Sequence, residues 1–166
     1  DDDPDEWVKV EDDEIRNNFE FQPLIFLREY PDQVARSMMN PAILGLSCYL
    51  WNWEYNKLLA QAVRACHPEC LIVMGGIHIP EHPDGQVNLI GLLGNSNSFF
   101  VKHPYVDILV HGEGEITFAS ILLEYLSSKS DYTKIPGISI KVDGNRALKT
   151  SSPNRIKDLS KLPSPY

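Results

Sequence analysis

The feature of this sequence that most constrains its fold is a series of short, continuous apolar runs that end in small residues. Four segments have this character: Leu24–Leu27, Ala42–Ser47, Cys70–Met74 and Val106–Val110. Two of the runs are followed at once, or after one residue, by glycine, at Gly75-Gly76 and at Gly112. Runs that are continuous rather than alternating are typical of strands buried on both faces. We therefore expect a mainly parallel sheet covered by helices.

The segments between these runs have the length and spacing of crossover helices. Between Ser47 and Gly75, apolar residues recur at helical intervals at positions 58, 59, 62, 63 and 66, and His67-Pro68 ends the pattern. Pro31–Met39 is a shorter helix candidate, and Glu115–Leu126 carries a third amphipathic pattern. Strands and helices that alternate in this way predict a Rossmann-like (flavodoxin-like) α/β fold.

The pattern changes in the last third of the chain. Ile138–Val142 alternates between apolar and polar residues, Asp143-Gly144 has the composition of a tight turn, and Ala147–Thr150 resumes the strand pattern. We expect a short C-terminal β-hairpin here. Before it, His78–Ser98 is rich in proline and glycine and is predicted to be a surface insertion.

Charge and composition divide the chain and exclude some classes of partner. The net charge of −8 disfavours nucleic acid and anionic membranes, and no apolar run reaches the length of a membrane span. We predict an acidic, disordered or frayed lead over residues 1–13 and an α/β domain over residues 14–150. Residues 151–166, punctuated by proline and serine, are predicted to be a linker.

The cysteines and histidines do not form a metal site in this interpretation. The three cysteines, Cys48, Cys66 and Cys70, lack framework spacing, which favours reduced thiols and a cytoplasmic protein. Cys66 and Cys70 could be a metal pair, but their place where a helix gives way to a buried strand favours small core residues. His78 and His111 lie nearest the predicted strand ends, where we expect a polar rim or a hydrogen-bonded core role rather than a metal ligand.

The ends of the predicted strands carry the residues best suited to bind a ligand. In a parallel α/β sheet, ligands bind beyond the carboxyl ends of the strands. Glycines there let a ligand approach the backbone, a serine hydroxyl can hydrogen-bond, and aromatic rings form flat apolar walls. The candidate binding residues are Ser47, Tyr49, Trp51, Asn52, Gly75, Gly76, Gly112, Glu113, Gly114 and Glu115.

Each of these features also has a purely structural interpretation. Gly75-Gly76 could be a tight turn, Glu113 and Glu115 could favour a helix N-terminus, and Trp51 could pack against the core. Three unusual strand ends at the same edge of a sheet nevertheless favour a binding site. No residue of the set is predicted to be catalytic.

The same motifs, in the same order, carry a family resemblance. The ordered set consists of Gly45-x-Ser47-Cys48-Tyr49-x-Trp51-Asn52, Gly75-Gly76, His103-Pro104-x-Val106-Asp107, Gly112-Glu113-Gly114-Glu115, Ile135-Pro136-Gly137-Ile138 and Leu162-Pro163-Ser164-Pro165-Tyr166. Over about Glu14–Tyr166 the chain resembles the N-terminal B12-binding-type domain of the cobalamin-dependent (B12-binding) radical SAM enzyme family. Singly these motifs are weak, but the ordered set is specific.

The resemblance implies a domain that binds cobalamin and positions it for methyl transfer or related radical chemistry. In that family the Pro-Ser-Pro-Tyr-like segment leads into a barrel that cleaves S-adenosylmethionine, with a [4Fe–4S] cluster held by Cys-x-x-x-Cys-x-x-Cys. That cysteine pattern is absent here, so we expect no enzymatic activity from this chain alone. The parent protein would be a radical SAM methyltransferase or a related enzyme, with the barrel of the same parent chain as partner.

Two departures from the family pattern leave an alternative open. The Asp-x-His-x-x-Gly motif, whose histidine ligates cobalt in other cobalamin domains, is absent. We also expect the family's first strand to be missing, because Leu24–Leu27 resembles its second strand. The alternative is a degenerate domain that binds no cofactor and acts as a scaffold or substrate-recognition cap. A flavodoxin-like signalling module is disfavoured, because it needs a cluster of acids at strand ends that here carry Gly, Ser and Trp.

Overall fold

The computed structural model describes residues 13–25, 27–81, 83, 99–142 and 146–152. Residues 13–18 are helical, and a single 3-10 turn covers Tyr132–Lys134. The other helices are α1 (Pro31–Ser37), α2 (Trp53–Cys66), α3 (Phe99–Lys102) and α4 (Glu115–Leu126). The strands are β1 (Ile43–Ser47), β2 (Leu71–Gly75), β3 (Ile108–Val110), β4 (Ile138–Val142) and β5 (Arg146–Lys149).

The five strands form one sheet in the order β1-β2-β3-β4-β5. The pairs β1–β2 and β2–β3 are parallel, whereas β3–β4 and β4–β5 are antiparallel. In the parallel part, Ser47 lies beside Gly75 and Met74 lies beside Leu109. The predicted Rossmann-like α/β fold with a C-terminal hairpin is therefore confirmed. The turn of the hairpin, Asp143-Gly144, lies outside the described residues.

Both faces of the sheet are buried, as the continuous apolar runs predicted. Ile72 and Met74 of β2 belong to the apolar cluster on one face, which includes Leu59 of α2, whereas Val73 belongs to the cluster on the other face with Ile121 of α4. All three β2 side chains are at most 2 % exposed. A strand whose successive side chains are all buried must have a layer of structure on each side.

Helices α1, α2 and α4 form at the three segments where the sequence predicts helices. Proline occupies the first turn of α1, Asp32 follows it and Arg36 lies in the last turn, an arrangement that favours the helix dipole at both ends. In α2, the helical pattern ends at Cys66, just before His67-Pro68. No helix in the described part of the chain is long and apolar enough to cross a membrane.

Five details differ from the sequence-based predictions, and the first is that the helix at residues 13–18 was not predicted. Leu24, Ile25 and Leu27 are not in a strand and are 76 %, 47 % and 72 % exposed, so the predicted strand at Leu24–Leu27 is wrong for the three residues described. A short apolar run has too few residues to show a strand period, and no strand in the described part of the chain pairs with it. Helix α1 ends two residues early, and the four-residue helix α3 was not predicted. Cys70 is buried, but Cys66 is exposed rather than part of the core.

Several other predictions lie wholly or mostly outside the described residues. These segments are residues 1–12 of the acidic lead, residues 153–166 of the linker, and His82 with residues 84–98 of the insertion.

The edge of the sheet at which β2 and β3 begin is held together by Asp107. Its Oδ2 accepts a hydrogen bond of 2.8 Å from the backbone N–H of Ile72 and pairs with Arg64 of α2. Its Oδ1 lies 3.5 Å from Nζ of Lys141 of β4, and Arg64 also donates to the carbonyl of Tyr105 at 3.2 Å. One carboxylate thus connects a helix to three strands at the edge where the parallel strands begin.

We predict that Asp107→Ala lowers the free energy of unfolding by about 2–3 kcal/mol, because it leaves a partly buried guanidinium and the backbone N–H of Ile72 without their partner. Urea denaturation measures this change. The control is Glu54→Ala, which removes the exposed partner of Lys57 and should cost less than about 0.5 kcal/mol. Equal effects for the two variants would contradict this role of Asp107.

Candidate functional site

The three strand ends singled out in the sequence meet at one edge of the sheet. Because β1, β2 and β3 are parallel, their carboxyl ends point the same way, and Ser47, Gly75 and Val110 end adjacent strands. A Cβ on Gly75 would lie only 3.4 Å from Cβ of Val110. We call residues 47–52, 75–76 and 111–115 the strand-tip surface. It contains all ten candidate binding residues.

The turn after β1 is held by two asparagine side chains. Nδ2 of Asn52 donates to the carbonyl of Ser47 at 2.9 Å, and its Oδ1 accepts from the backbone N–H of Tyr49 at 2.7 Å. Asn56, only 6 % exposed, donates to the same carbonyl at 3.1 Å and lies 3.4 Å from Sγ of Cys48. Asn52 therefore shapes the loop through its own amide. Asn56 is a positioning residue that the sequence analysis missed.

Gly76 is required by the protein's own backbone. Its φ is +98°, and a Cβ would lie 2.7 Å from the carbonyl oxygen and 2.8 Å from the nitrogen of Cys48. The same backbone segment is hydrogen-bonded on both sides: Cys48 N–H donates to Gly75 O at 2.7 Å, and His78 N–H donates to Cys48 O at 3.1 Å. The glycine that the sequence analysis assigned to ligand approach thus lets the ends of β1 and β2 pack against each other.

We predict that Gly76→Ala lowers the free energy of unfolding by about 2–4 kcal/mol, since it combines a strained positive φ with a backbone clash. The matched control is Gly114→Ala, where φ is −91° and the new Cβ would make an ordinary 3.6 Å contact with Val110. That control should change stability by about 1 kcal/mol or less. Thermal unfolding of both variants tests the comparison, and a stable Gly76→Ala protein would contradict it.

An exposed aromatic pair lies in the loop that follows β1. The rings of Tyr49 and Trp51 are stacked, with centroids 4.7 Å apart and planes only 7° from parallel. Trp51 is 68 % exposed and the intervening Leu50 is 77 % exposed. Arg28 holds this loop from outside, because its Nη2 donates to the carbonyl of Trp51 at 2.6 Å. The pair offers a flat apolar platform beside the glycine-lined strand ends.

The third strand end is held by the C-terminal hairpin. Nε2 of His111 lies 2.7 Å from Oγ of Ser139, which is completely buried, and the backbone N–H of His111 donates to Gly137 at 2.8 Å. Gly112 follows with a φ of +73°, and Gly114 is the N-cap residue of α4. His111 is therefore a partly buried, hydrogen-bonded residue at the rim of the surface, one of the two roles expected for it.

A cluster of rings lies beneath the first turn of α2. His78 packs edge-on against Trp53 with centroids 5.0 Å apart, and His103 lies 6.5 Å from the same indole. Burial lowers the pKa of His103, and the charges of Lys57 and Lys102 lower it further. Nδ1 of the His103 ring shares a 2.8 Å hydrogen bond with the hydroxyl of Tyr105. The cluster packs against the indole at the start of α2, the helix that follows the loop after β1.

None of the three cysteines is a reactive thiolate of the strand-tip surface. Cys48 is fully buried, and burial raises its pKa, an effect that the hydrogen bond from Asn56 only partly opposes. Burial raises the pKa of Cys70 to about 11. Within the described ranges, no group of three or more His, Cys, Asp or Glu side chains is arranged to hold a metal ion.

We predict that the native protein has one rapidly reacting thiol, Cys66, and that denaturation without reductant exposes three, because Cys48 and Cys70 are buried and all three are unpaired. Titration with a thiol reagent at pH 8 measures both numbers. Cys66→Ser should abolish the fast phase. A single thiol after denaturation would reveal a disulfide and contradict the prediction.

Comparison with known proteins places this geometry in context. No family model matches the chain. The chain is 36 % identical over 156 residues to 2-(S-pantetheinyl)-carbapenam-3-carboxylate methyltransferase of Streptantibioticus cattleyicolor. It is 38 % identical over 156 residues to cobalamin-dependent radical SAM methyltransferase TokK of Streptomyces tokunonensis.

These matches cover nearly all of this chain but a small part of its relatives. Each alignment includes 94 % of the chain and 21 % of the relative, so the chain spans about a fifth of the length of either enzyme. The resemblance predicted from the sequence is thereby confirmed: over 94 % of its length the chain is similar to two methyltransferases, one of which is named as a cobalamin-dependent radical SAM enzyme.

Proposed function

We propose that this chain is the cobalamin-binding domain of a radical SAM enzyme and that it holds cobalamin on the strand-tip surface. The observation that carries the proposal is the exposed Tyr49–Trp51 stack, which lies beside the carboxyl ends of the three parallel strands of a mixed sheet. That edge is where ligands bind in folds of this type. One of the relatives is named as a cobalamin-dependent enzyme, which supports the same ligand.

The residues present are chemically suited to a corrin. A flat macrocycle with an apolar face and neutral amide arms can lie against the exposed rings of Tyr49 and Trp51 without needing a basic site. Gly75 and Gly112 have no side chains, so a large ligand can approach the backbone at the ends of their strands. When bound, cobalamin supplies the cobalt-centred chemistry of methyl transfer. The protein's own residues orient the macrocycle and exclude water.

The two histidines nearest the surface are already engaged in the fold. His78 packs edge-on against Trp53, and Nε2 of His111 is hydrogen-bonded to Ser139. Together with the absent Asp-x-His-x-x-Gly motif, this supports a cobalamin held without a histidine ligand from this chain.

The wider assignment follows from the family. We infer that residues 14–150 form the cobalamin domain and that residues 151–166 connect it to a radical SAM barrel with a [4Fe–4S] cluster. The relatives are about five times as long as the matched segment, which leaves room for such a domain in proteins of this kind. The parent enzyme would then be a radical SAM methyltransferase or a related enzyme.

Replacement of Trp51 tests the proposal. Trp51→Ala should weaken binding of hydroxocobalamin about tenfold or more, since burying one aromatic face contributes about 1.5–3 kcal/mol. Absorption titration or equilibrium dialysis measures the affinity. Leu58→Ala, an exposed position on the outer face of α2, is the control and should bind normally.

The outcome distinguishes the proposal from its alternative. Absence of hydroxocobalamin binding at micromolar concentrations would favour a domain without cofactor that serves as a scaffold or substrate-recognition cap. Normal binding by Trp51→Ala would place cobalamin away from the strand-tip surface.

A further inference from the structure

A cavity of about 490 Å³ opens beside the loop after β1, between the segment that precedes α1 and the first turn of α2. It adjoins the strand-tip surface, because Arg28 on its wall donates to the carbonyl of Trp51 at 2.6 Å. We call it the Tyr55 cavity. Its lining residues are Arg28, Glu29, Tyr30, Pro31, Gln33 and Tyr55.

The hydroxyl of Tyr55 lacks a partner in this cavity wall. It is buried and makes no hydrogen bond with any described residue. Burial raises the pKa of Tyr55, and the charge of Glu29 raises it further, so the group remains a neutral hydroxyl. A buried hydroxyl without a hydrogen bond is unfavourable, and a ligand that supplies one is favoured there.

The charge of the lining favours a neutral ligand. The positive charge of Arg28 and the negative charge of Glu29 cancel, while the amide of Gln33 offers both a donor and an acceptor. Pro31 and the two tyrosine rings supply apolar surface. A primary carboxamide matches this lining, because it presents a carbonyl acceptor and two N–H donors on a small, uncharged group.

We propose that the Tyr55 cavity receives one of the neutral carboxamide arms at the rim of the corrin. The inference rests on the proposed function, since it takes the Tyr49–Trp51 platform as the support for the macrocycle. Carboxamide arms radiate from the edge of that macrocycle, and the cavity adjoins the platform. Because the hydroxyl is buried, the proposal includes an outward turn of Tyr30, which lines the cavity and is 76 % exposed, to admit the arm.

The test compares hydroxocobalamin with a series of derivatives in which a single carboxamide arm is hydrolysed to a carboxylate. We expect one isomer to bind at least tenfold more weakly than the parent compound, because a carboxylate loses more hydration than a neutral carboxamide and the cancelling charges of Arg28 and Glu29 offer it no net attraction. The other isomers should bind within threefold of hydroxocobalamin. Glu29→Gln should reduce the penalty of the disfavoured isomer to less than threefold.

Removal of the unpaired hydroxyl gives a second, independent readout. Tyr55→Phe should weaken hydroxocobalamin binding three- to tenfold and yet raise the unfolding midpoint of the ligand-free protein, because the buried hydroxyl has no partner without ligand. Tyr125→Phe makes the same chemical change at the opposite edge of the sheet and should leave the affinity unchanged. If Tyr55 had only a structural role, its replacement by Phe would not lower the affinity for hydroxocobalamin while raising the unfolding midpoint.

The two proposals fail in different ways. If hydroxocobalamin binds but all isomers bind alike and Tyr55→Phe retains full affinity, the Tyr55 cavity is not a carboxamide site while the proposed function stands. If the protein binds no hydroxocobalamin, both proposals are overturned.

Discussion

The site depends on the close approach of two backbone segments, Gly76 and Cys48. Because Gly76 has no Cβ, there is room for the backbone of Cys48. A Cβ at this position would lie 2.7 Å from the carbonyl oxygen and 2.8 Å from the nitrogen of Cys48. Hydrogen bonds from Cys48 to Gly75 and from His78 to Cys48 then fix the loop after β1 against the end of β2. The position of the Tyr49–Trp51 platform follows from this contact, because the platform belongs to the same loop.

Different contacts stabilise the two edges of the sheet at which the parallel strands β1, β2 and β3 begin and end. At the edge where the strands begin, Asp107 joins Arg64, Lys141 and the backbone of β2 into one partly buried network. At the edge where the strands end, backbone contacts and the side chains of Asn52 and Asn56 hold loops whose aromatic side chains remain exposed. Both edges are therefore stabilised by contacts within the fold, and at the carboxyl-end edge the exposed aromatic side chains can present apolar surface to a ligand.

Much of this arrangement could be predicted from sequence because it is local. The continuous apolar runs located β1, β2 and β3, and helical spacing located α2 and α4. Contacts between distant segments gave no such signal: Arg28 and Trp51 are 23 positions apart, and the clash that requires Gly76 comes from another strand end. The strand predicted at Leu24–Leu27 was wrong for the same reason, because the apolar pattern of a segment does not show whether a neighbouring strand is present to pair with it.

The central claim is that a corrin rests on the strand-tip surface. The most direct measurement is a crystal structure of the protein with hydroxocobalamin. The account predicts the macrocycle at the carboxyl ends of β1, β2 and β3, in contact with Tyr49 and Trp51. Cobalamin located at the Asp107 edge of the sheet, or a fully ordered strand-tip surface with no corrin at saturating ligand, would contradict it.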